Sequence, residues 1–390
     1  MTAENTRDTG ETPGRPRRIL FLTGRLQPNA SCRATMALTR QLNRLGCETH
    51  LIARSGSVQR VYPENPEAQD DPHNPPIWIS RALDRNLRGY LSLGRLVQRT
   101  EEIDPDLVHV QGVGLAQVAA RLVRRVRKPY ILSIADFVDR GRSVPRSRRF
   151  LRGVTAASDA IRVDLVNRLR LPRELIKVVP EGVDASVYPS REPGITDARV
   201  PVIGMIGRLV ASKGQEQFVR MAHLLSVRGR RTHFVVGGEG PDRKRLQNLI
   251  ADLHLVERVT FAREPVDQLE VLRATDVLVV PALREALGLP IMEAMVCGIP
   301  VVAASAGGVF SLVENNQTGI LVPKNDPDAL ATAVERLLND REAAARLAAR
   351  ARERIASHLN IAAAARRMID VYDSAARSPS DDTTVTTALY

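Results

Sequence analysis

The feature that most restricts this chain is the rhythm of its short apolar runs, which recur between helical patterns without the polar alternation of a half-exposed strand. In the first half the runs fall at 19–22, 49–52, 107–110, 130–134, 154–157 and 176–179, with helical patterns over 34–45 and around 91–102, 115–126 and 159–169. A strand covered by helices on both faces has no solvent side to keep polar, so this order predicts a parallel, doubly wound sheet. The stretch 189–201, with Pro193 and Gly194 among polar residues, breaks the rhythm and reads as a linker. A second series follows at 202–206, 234–236, 259–261, 277–280, 301–303 and 320–322, then helices opening at Asp326-Pro327, over 341–357 and over about 361–376. The expected architecture is α/β: two Rossmann-like domains, over 18–190 and 200–360, facing across a crevice lined by the carboxyl ends of their strands. Residues 1–17 read as a flexible leader, and residues 378–390, mostly Ser, Thr and Asp, are expected to be disordered.

Composition narrows the setting. Three widely separated cysteines, Cys32, Cys47 and Cys297, suggest neither a disulfide framework nor a zinc knuckle and fit a reducing cytoplasm. No apolar run is long enough to span a bilayer. The net charge of +12 is uneven, with 33 basic against 22 acidic residues in the first 200 positions and 23 against 22 in the rest. A cluster at Arg140, Arg142, Arg146, Arg148, Arg149 and Arg152 either attracts phosphate-bearing partners or an anionic membrane face, or is a solvated arginine-rich surface.

The strongest local signal lies between the fourth and fifth runs of the second series, in Arg284-Glu285-Ala286-Leu287-Gly288-Leu289-Pro290-Ile291-Met292-Glu293. Pro290 suits a first helical turn and Gly298 the position just past a helix end, so a two-turn helix should start at the Gly288-Leu289 bend. Its unpaired amides would favour an anion such as a diphosphate. Glu285 before the helix and Glu293 within it can bracket a ligand, one taking sugar hydroxyls and the other ribose hydroxyls; the plainer reading is a solvated loop acid and a first-turn acid. Gly207, Arg208, Lys213 and Gly214 end the first run of the second series, where a planar fork and a point charge can neutralise a departing diphosphate. Gly237-Gly238-Glu239-Gly240 permits close backbone approach or is only a turn. Asn29, Ala30 and Ser31, after the first run of the chain, bring small side chains to the crevice from the other domain.

Taken together, Gly-Arg-Leu…Lys-Gly at 207–214, the glutamates at 285 and 293, the run Glu-Ala-Met…Gly-Ile-Pro-Val-Val over 293–302, and Pro-Glu-Gly-Val-Asp at 180–184 resemble the family 4 glycosyltransferases from about residue 18 to 376. The resemblance implies a GT-B fold, a retaining mechanism without metal, and a nucleotide-diphosphate sugar as co-substrate rather than a bound cofactor. It implies that Arg208 and Lys213 hold the diphosphate, Glu285 contacts the transferred sugar, Glu293 binds the ribose, and the last helix packs back on the first domain. The acceptor would be a glycan, a lipid-linked sugar or a small molecule, as in cell-envelope polysaccharide synthesis, with peripheral contact to an anionic inner-membrane face through the basic first domain. Three positions depart from the family pattern. Asn29-Ala30-Ser31 stands where paired glycines are common, Ala135 stands at a frequent histidine position beside Asp136, and Ala286-Leu287 replaces a Gly-Phe pair, removing an aromatic wall. Asp136 is a further candidate to reach the crevice, or a loop cap. These departures motivate the alternative of a catalytically silent scaffold that binds sugar nucleotides.

Other chemistry is poorly represented. Asp104-Pro105-Asp106 precedes a strand instead of ending one, so it reads as a turn rather than a metal motif. His109, inside an apolar run, reads as a satisfied core residue. Aromatics at 4% and no recognised nucleic-acid motif argue against specific nucleic-acid binding despite the basic first half.

Overall fold

The computed structural model describes residues 18–62, 65–84, 92–138, 144–147, 149–189, 191–195, 200–262 and 266–376. The proposed leader, the proposed tail and Arg140, Arg142 and Arg148 lie outside them.

Two all-parallel sheets form. The first holds β1 (Arg18–Arg25), β2 (Glu48–Ser55), β3 (Ile77–Ile79), β4 (Leu107–Gln111), β5 (Tyr130–Ile134), β6 (Leu151–Ala156) and β7 (Ile176–Val178) in the order β3-β2-β1-β4-β5-β6-β7. The second holds β8 (Val202–Ile206), β9 (His233–Gly237), β10 (Val259–Phe261), β11 (Val277–Val280), β12 (Val301–Ala304) and β13 (Ile320–Val322) in the order β10-β9-β8-β11-β12-β13. Each sheet reverses its winding between its first and fourth strands, β1/β4 and β8/β11, the place where such sheets open a crevice for ligands.

Burial on both faces explains the unbroken apolar runs. In β1, Ile19 and Phe21 pack under helices Ala30–Arg44 and Ile361–Ala376, while Leu20 and Leu22 face the opposite core with Leu96 and Leu122. In β11, Val277 and Val279 join one core and Leu278 and Val280 the other. That second core is continuous from the first sheet to the second: Ala157 and Ile161 belong to the same cluster as Ala286, Leu287 and Ile291.

The terminal helix Ile361–Ala376 returns to the first sheet, burying Ala365, Met368, Val371 and Tyr372 against Ile19, Phe21 and Leu51. The chain crosses there beside Gly182, where a Cβ would stand 2.6 Å from the Asn360 carbonyl and 2.7 Å from Ile361 Cα. Asp184, the last residue of the Pro-Glu-Gly-Val-Asp motif, accepts from the buried Arg40 at 3.3 Å, and Arg40 also donates to the Tyr62 hydroxyl at 3.0 Å. The motif therefore secures the first domain. In the linker, the Arg191 guanidinium donates to the Thr275 carbonyl at 2.9 Å and the Gly194 amide to the Gly298 carbonyl at 3.0 Å, tying it to the second sheet's side.

Two sequence readings are met in detail. Asp104, at φ 47°, ends helix Leu93–Ile103, and Asp106 accepts from the Arg18 amide at 2.9 Å, so the Asp-Pro-Asp segment is the turn into β4. His109 is fully buried, with its ring nitrogens 2.7 Å from the Tyr372 hydroxyl and 2.6 Å from the Ser133 hydroxyl. Burial penalises the imidazolium and pushes its pKa down to about 3, so the ring is neutral and fully satisfied by hydroxyls. The short edge strand β3 was not anticipated.

Candidate functional site

The carboxyl ends of the two sheets enclose a cleft of about 1090 Å³. The loop after β1, from Arg25 to Asn29, walls one side together with Gln59 and Arg60. Gly207 and Arg208 after β8, Gly238 to Gly240 after β9, and the segment around Gln268 wall the other. Arg208 is exposed there. Gly207 and Gly238 meet through their backbones, since a Cβ on Gly238 would lie 1.8 Å from the Gly207 carbonyl oxygen. That glycine is therefore required by the packing of two loops against each other, whatever it offers a ligand.

Lys213 closes a short 3₁₀ turn, Ala211–Lys213, and its ammonium donates to both oxygens of Glu285 at 3.0 Å. Glu285 is buried, not the solvated loop acid of the plainer reading. The pair joins the loop after β8 to the loop after β11. Backbone bonds fix the same junction, with the Leu283 and Arg284 amides donating to the Ser212 carbonyl at 2.9 and 3.1 Å. Gly214 makes the approach possible: it sits at φ +72°, and a Cβ there would be 1.9 Å from the Pro281 carbonyl oxygen.

Helix Leu289–Val296 starts at Gly288 (φ 91°), with Pro290 in its first turn. Pro290 has no amide hydrogen, and the Ile291 and Met292 amides close on the Gly288 carbonyl at 2.8 and 3.2 Å. Among the described residues, the amide left over at this helix start is that of Leu289.

Glu293 lies beyond the first turn, so the reading of an ordinary first-turn acid is corrected. Its carboxylate is buried, with the side chain 1% exposed, in a cluster that the sequence reading missed. Its Oε1 accepts from Arg33 Nη2 at 2.6 Å, Arg33 Nε at 3.0 Å and the Tyr188 hydroxyl at 2.6 Å, while its Oε2 is buried without a partner among the described residues. Arg33 belongs to the opposite domain, on helix Ala30–Arg44, and is itself 1% exposed. Burial works against its charge, but Glu293 and Tyr188 together more than offset this and hold the guanidinium pKa above its ordinary value. Burial and Glu293 likewise push the Tyr188 hydroxyl well above its usual range.

On the first-domain side, Asn29 lines the cleft and caps helix Ala30–Arg44, its Oδ1 accepting from the Cys32 amide at 2.9 Å. Ala30 does not offer its amide to the cleft: that group donates to Gln268 Oε1 at 2.9 Å, across the domain boundary. Ser31 is exposed. Asp136 is exposed, and its carboxylate accepts from the Phe137 amide at 2.8 Å, so it caps its loop. Phe137 stands against the second domain instead, with the Arg284 guanidinium 4.5 Å from its ring centroid. Ser158 donates to the Ala286 carbonyl at 2.5 Å, so the segment from Arg284 to Ala286 is clamped from both sides. Of the arginine cluster, Arg149 lies over the Phe150 ring at 5.6 Å and Arg152 donates to the Arg149 carbonyl at 3.2 Å.

Among the described residues, no helix is long and apolar enough to cross a membrane. Sequence profiles of two families match consecutive parts of the chain: "Glycosyltransferase Family 4" over residues 33–187 and "Glycosyl transferases group 1" over residues 190–354. The 2-deoxystreptamine N-acetyl-D-glucosaminyltransferase of Streptomyces fradiae is 33% identical over 270 residues, 61% of this chain and 64% of that protein. The D-inositol 3-phosphate glycosyltransferase of Stackebrandtia nassauensis is 34% identical over 221 residues, 50% of each chain. The chain thus spans about half to two thirds of the curated relatives it matches. Among solved structures, HepE from Anabaena in complex with UDP and glucose superposes with a TM-score of 0.74 at 21% identity, covering 92% of this chain and 100% of that one. Sucrose-phosphate synthase from Thermosynechococcus elongatus gives 0.72 at 21% identity, covering 91% and 98%. At these identities the structural likeness concerns the fold.

Proposed function

Because the chain belongs to the family 4 glycosyltransferases and has their GT-B fold, we propose that it transfers a sugar from a nucleoside diphosphate to an acceptor bound in the same cleft. One observation carries this reading: an exposed arginine, Arg208, on the wall of an interdomain cleft at the carboxyl ends of both sheets, with the Lys213–Glu285 pair bridging the loops beside it. Relatives with UDP in their structures support a sugar nucleotide as the donor. In the proposed reaction the bond between the anomeric carbon and the diphosphate oxygen breaks, and the electron pair leaves with the diphosphate. Arg208, Lys213 and the start of helix Leu289–Val296 stabilise the charge that develops. The acceptor hydroxyl forms the new bond on the face the diphosphate has left, with retention, and its proton goes to the departing phosphate oxygen. Glu285 accepts hydroxyls of the transferred sugar and Glu293 those of the ribose. No metal ion is assigned to these steps, and no side chain is assigned as a covalent nucleophile.

The basic first domain suits an acceptor bearing phosphate or attached to a lipid, and peripheral contact with an anionic membrane face at the cytoplasmic side. The test is release of nucleoside diphosphate by the purified protein from a panel of UDP-, GDP- and ADP-sugars, with aminocyclitol, inositol phosphate and lipid-linked acceptors. Release that requires both an acceptor and Lys213 supports the reading. Binding of the donor without release under any acceptor would establish the silent scaffold instead.

A further inference from the structure

Glu293 carries an asymmetry that its proposed contact with ribose does not explain. Among the described residues, its three donors converge on Oε1, two from Arg33 and one from Tyr188, and none reaches Oε2, although the side chain lies in the interior. An unpaired carboxylate oxygen in a protein interior is costly and calls for a donor. Arg33 Nη1 is likewise buried without a partner among the described residues. Neither Arg33 nor Tyr188 belongs to the loops that form the second domain's part of the cleft. Arg33 stands in the first turn of helix Ala30–Arg44 in the first domain, and Tyr188 follows β7, just before the linker. Gln268, which lines the cleft, completes the arrangement by accepting from both the Ala30 amide at 2.9 Å and Arg33 Nη2 at 3.3 Å.

We propose that Arg33 and Tyr188 are positioning residues for the nucleoside: from the acceptor-side domain and the hinge, they hold Glu293 by Oε1 and so reserve Oε2 for the donor's ribose hydroxyls. The inference rests on the ribose role given to Glu293 above and extends it. A carboxylate saturated on one oxygen by charge-assisted bonds cannot rotate freely, and the remaining lone pairs are fixed in direction. The donor site is then incomplete in the second domain alone, because the orientation of its ribose acceptor depends on the first. Nucleotide affinity and the juxtaposition of the domains are coupled through this one carboxylate.

The experiment measures dissociation constants for the tightest binder among UDP, GDP and ADP and for its 2′,3′-dideoxy counterpart, in the full chain and three variants. The wild type is expected to prefer the ribonucleotide by roughly 10- to 150-fold, the range for hydrogen bonds to a charged group. Glu293→Gln should bring that preference close to unity. Tyr188→Phe, which removes one oxygen, and Arg33→Lys, which keeps the charge but loses the fork, should each reduce it several-fold while the dideoxy nucleotide binds as to the wild type. Unchanged dideoxy binding shows that the fold and the rest of the site are intact, a readout that simple destabilisation would not spare. If Glu293→Gln loses the preference and both positioning variants keep it in full, the positioning role is overturned and the ribose contact stands. If the wild type shows no preference, the ribose contact itself fails and the positioning role with it.

Discussion

The Lys213–Glu285 pair offers a prediction in which stability and chemistry can be separated. Lys213→Met removes the ammonium but keeps much of the apolar stem, leaving the Glu285 side chain, 8% exposed in the intact pair, with the Ala286 amide at 3.1 Å as its remaining donor among the described residues. Removing one partner from a fully buried pair costs about 3–5 kcal/mol. Here the lysine side chain is 23% exposed, so water reaches its end of the pair and the expected cost falls to about 1–3 kcal/mol. Glu285→Gln abolishes the charge that Lys213 compensates, so the double variant should recover part of the loss, with a coupling energy of about 1–2 kcal/mol in urea unfolding. Activity should not recover with it. If Lys213 stabilises the departing diphosphate, both Lys213→Met and the double variant should lose about 10²- to 10³-fold in kcat. A Lys213→Met protein within about 0.5 kcal/mol of the wild type and within about threefold of its kcat would refute both the pairing energetics and the assignment.

Gly214→Ala should destabilise the protein by more than about 1 kcal/mol and depress donor binding, because at φ +72° its methyl group meets the Pro281 carbonyl oxygen; thermal melts with and without nucleotide read both effects. Ser158→Ala leaves the buried Ala286 carbonyl without its donor and should cost about 1–3 kcal/mol in urea unfolding. For His109, the folded pKa of about 3 lies below the ordinary 6.5, so the unfolded chain takes up the proton first. Its contribution to stability is full above pH 6.5 and is lost as the pH falls toward 3, by up to about 1.4 kcal/mol per pH unit, a slope that His109→Gln should remove from urea midpoints measured against pH. Glu181 has the opposite sign: burial pushes its carboxyl from 4.5 up to about 7, so its contribution is full below pH 4.5 and is lost as the pH rises through 7, and Glu181→Gln should cancel that decline.

Both sheets were legible in the sequence because strands such as 19–22 and 277–280 are buried on both faces and therefore lack polar alternation. β3 escaped because it is three residues long, lies at the sheet edge and follows Pro75-Pro76, so it offers neither length nor period. The loop residues Arg208, Lys213 and Glu285 stood out as candidates because glycines and strand ends mark where a backbone can approach a ligand. The partnership of Lys213 with Glu285 was not, since nothing in sequence spacing brings residues 72 apart to 3.0 Å. Arg33 was missed for a different reason. It shares the buried stripe of its helix with Met36, Ala37 and Arg40, and a charged residue inside an apolar stripe is the signal of a buried partner. That pattern locates the need for an acid, while only the fold, joining residues 33 and 293, identifies it. Ala286-Leu287 in place of a Gly-Phe pair was legible as the loss of an aromatic wall, but not that Phe137 of the opposite domain stands beside the same segment, its ring 3.4 Å from where a Cβ on Gly307 would be.

Everything proposed for the reaction depends on the donor's diphosphate lying between the two domains, against Arg208, Lys213 and the first turn of helix Leu289–Val296. A crystal structure with the best-binding nucleoside diphosphate should show phosphate oxygens at about 3 Å from the Arg208 guanidinium and the Lys213 ammonium. A diphosphate bound elsewhere, with both side chains turned away from it, would rule the proposed site out.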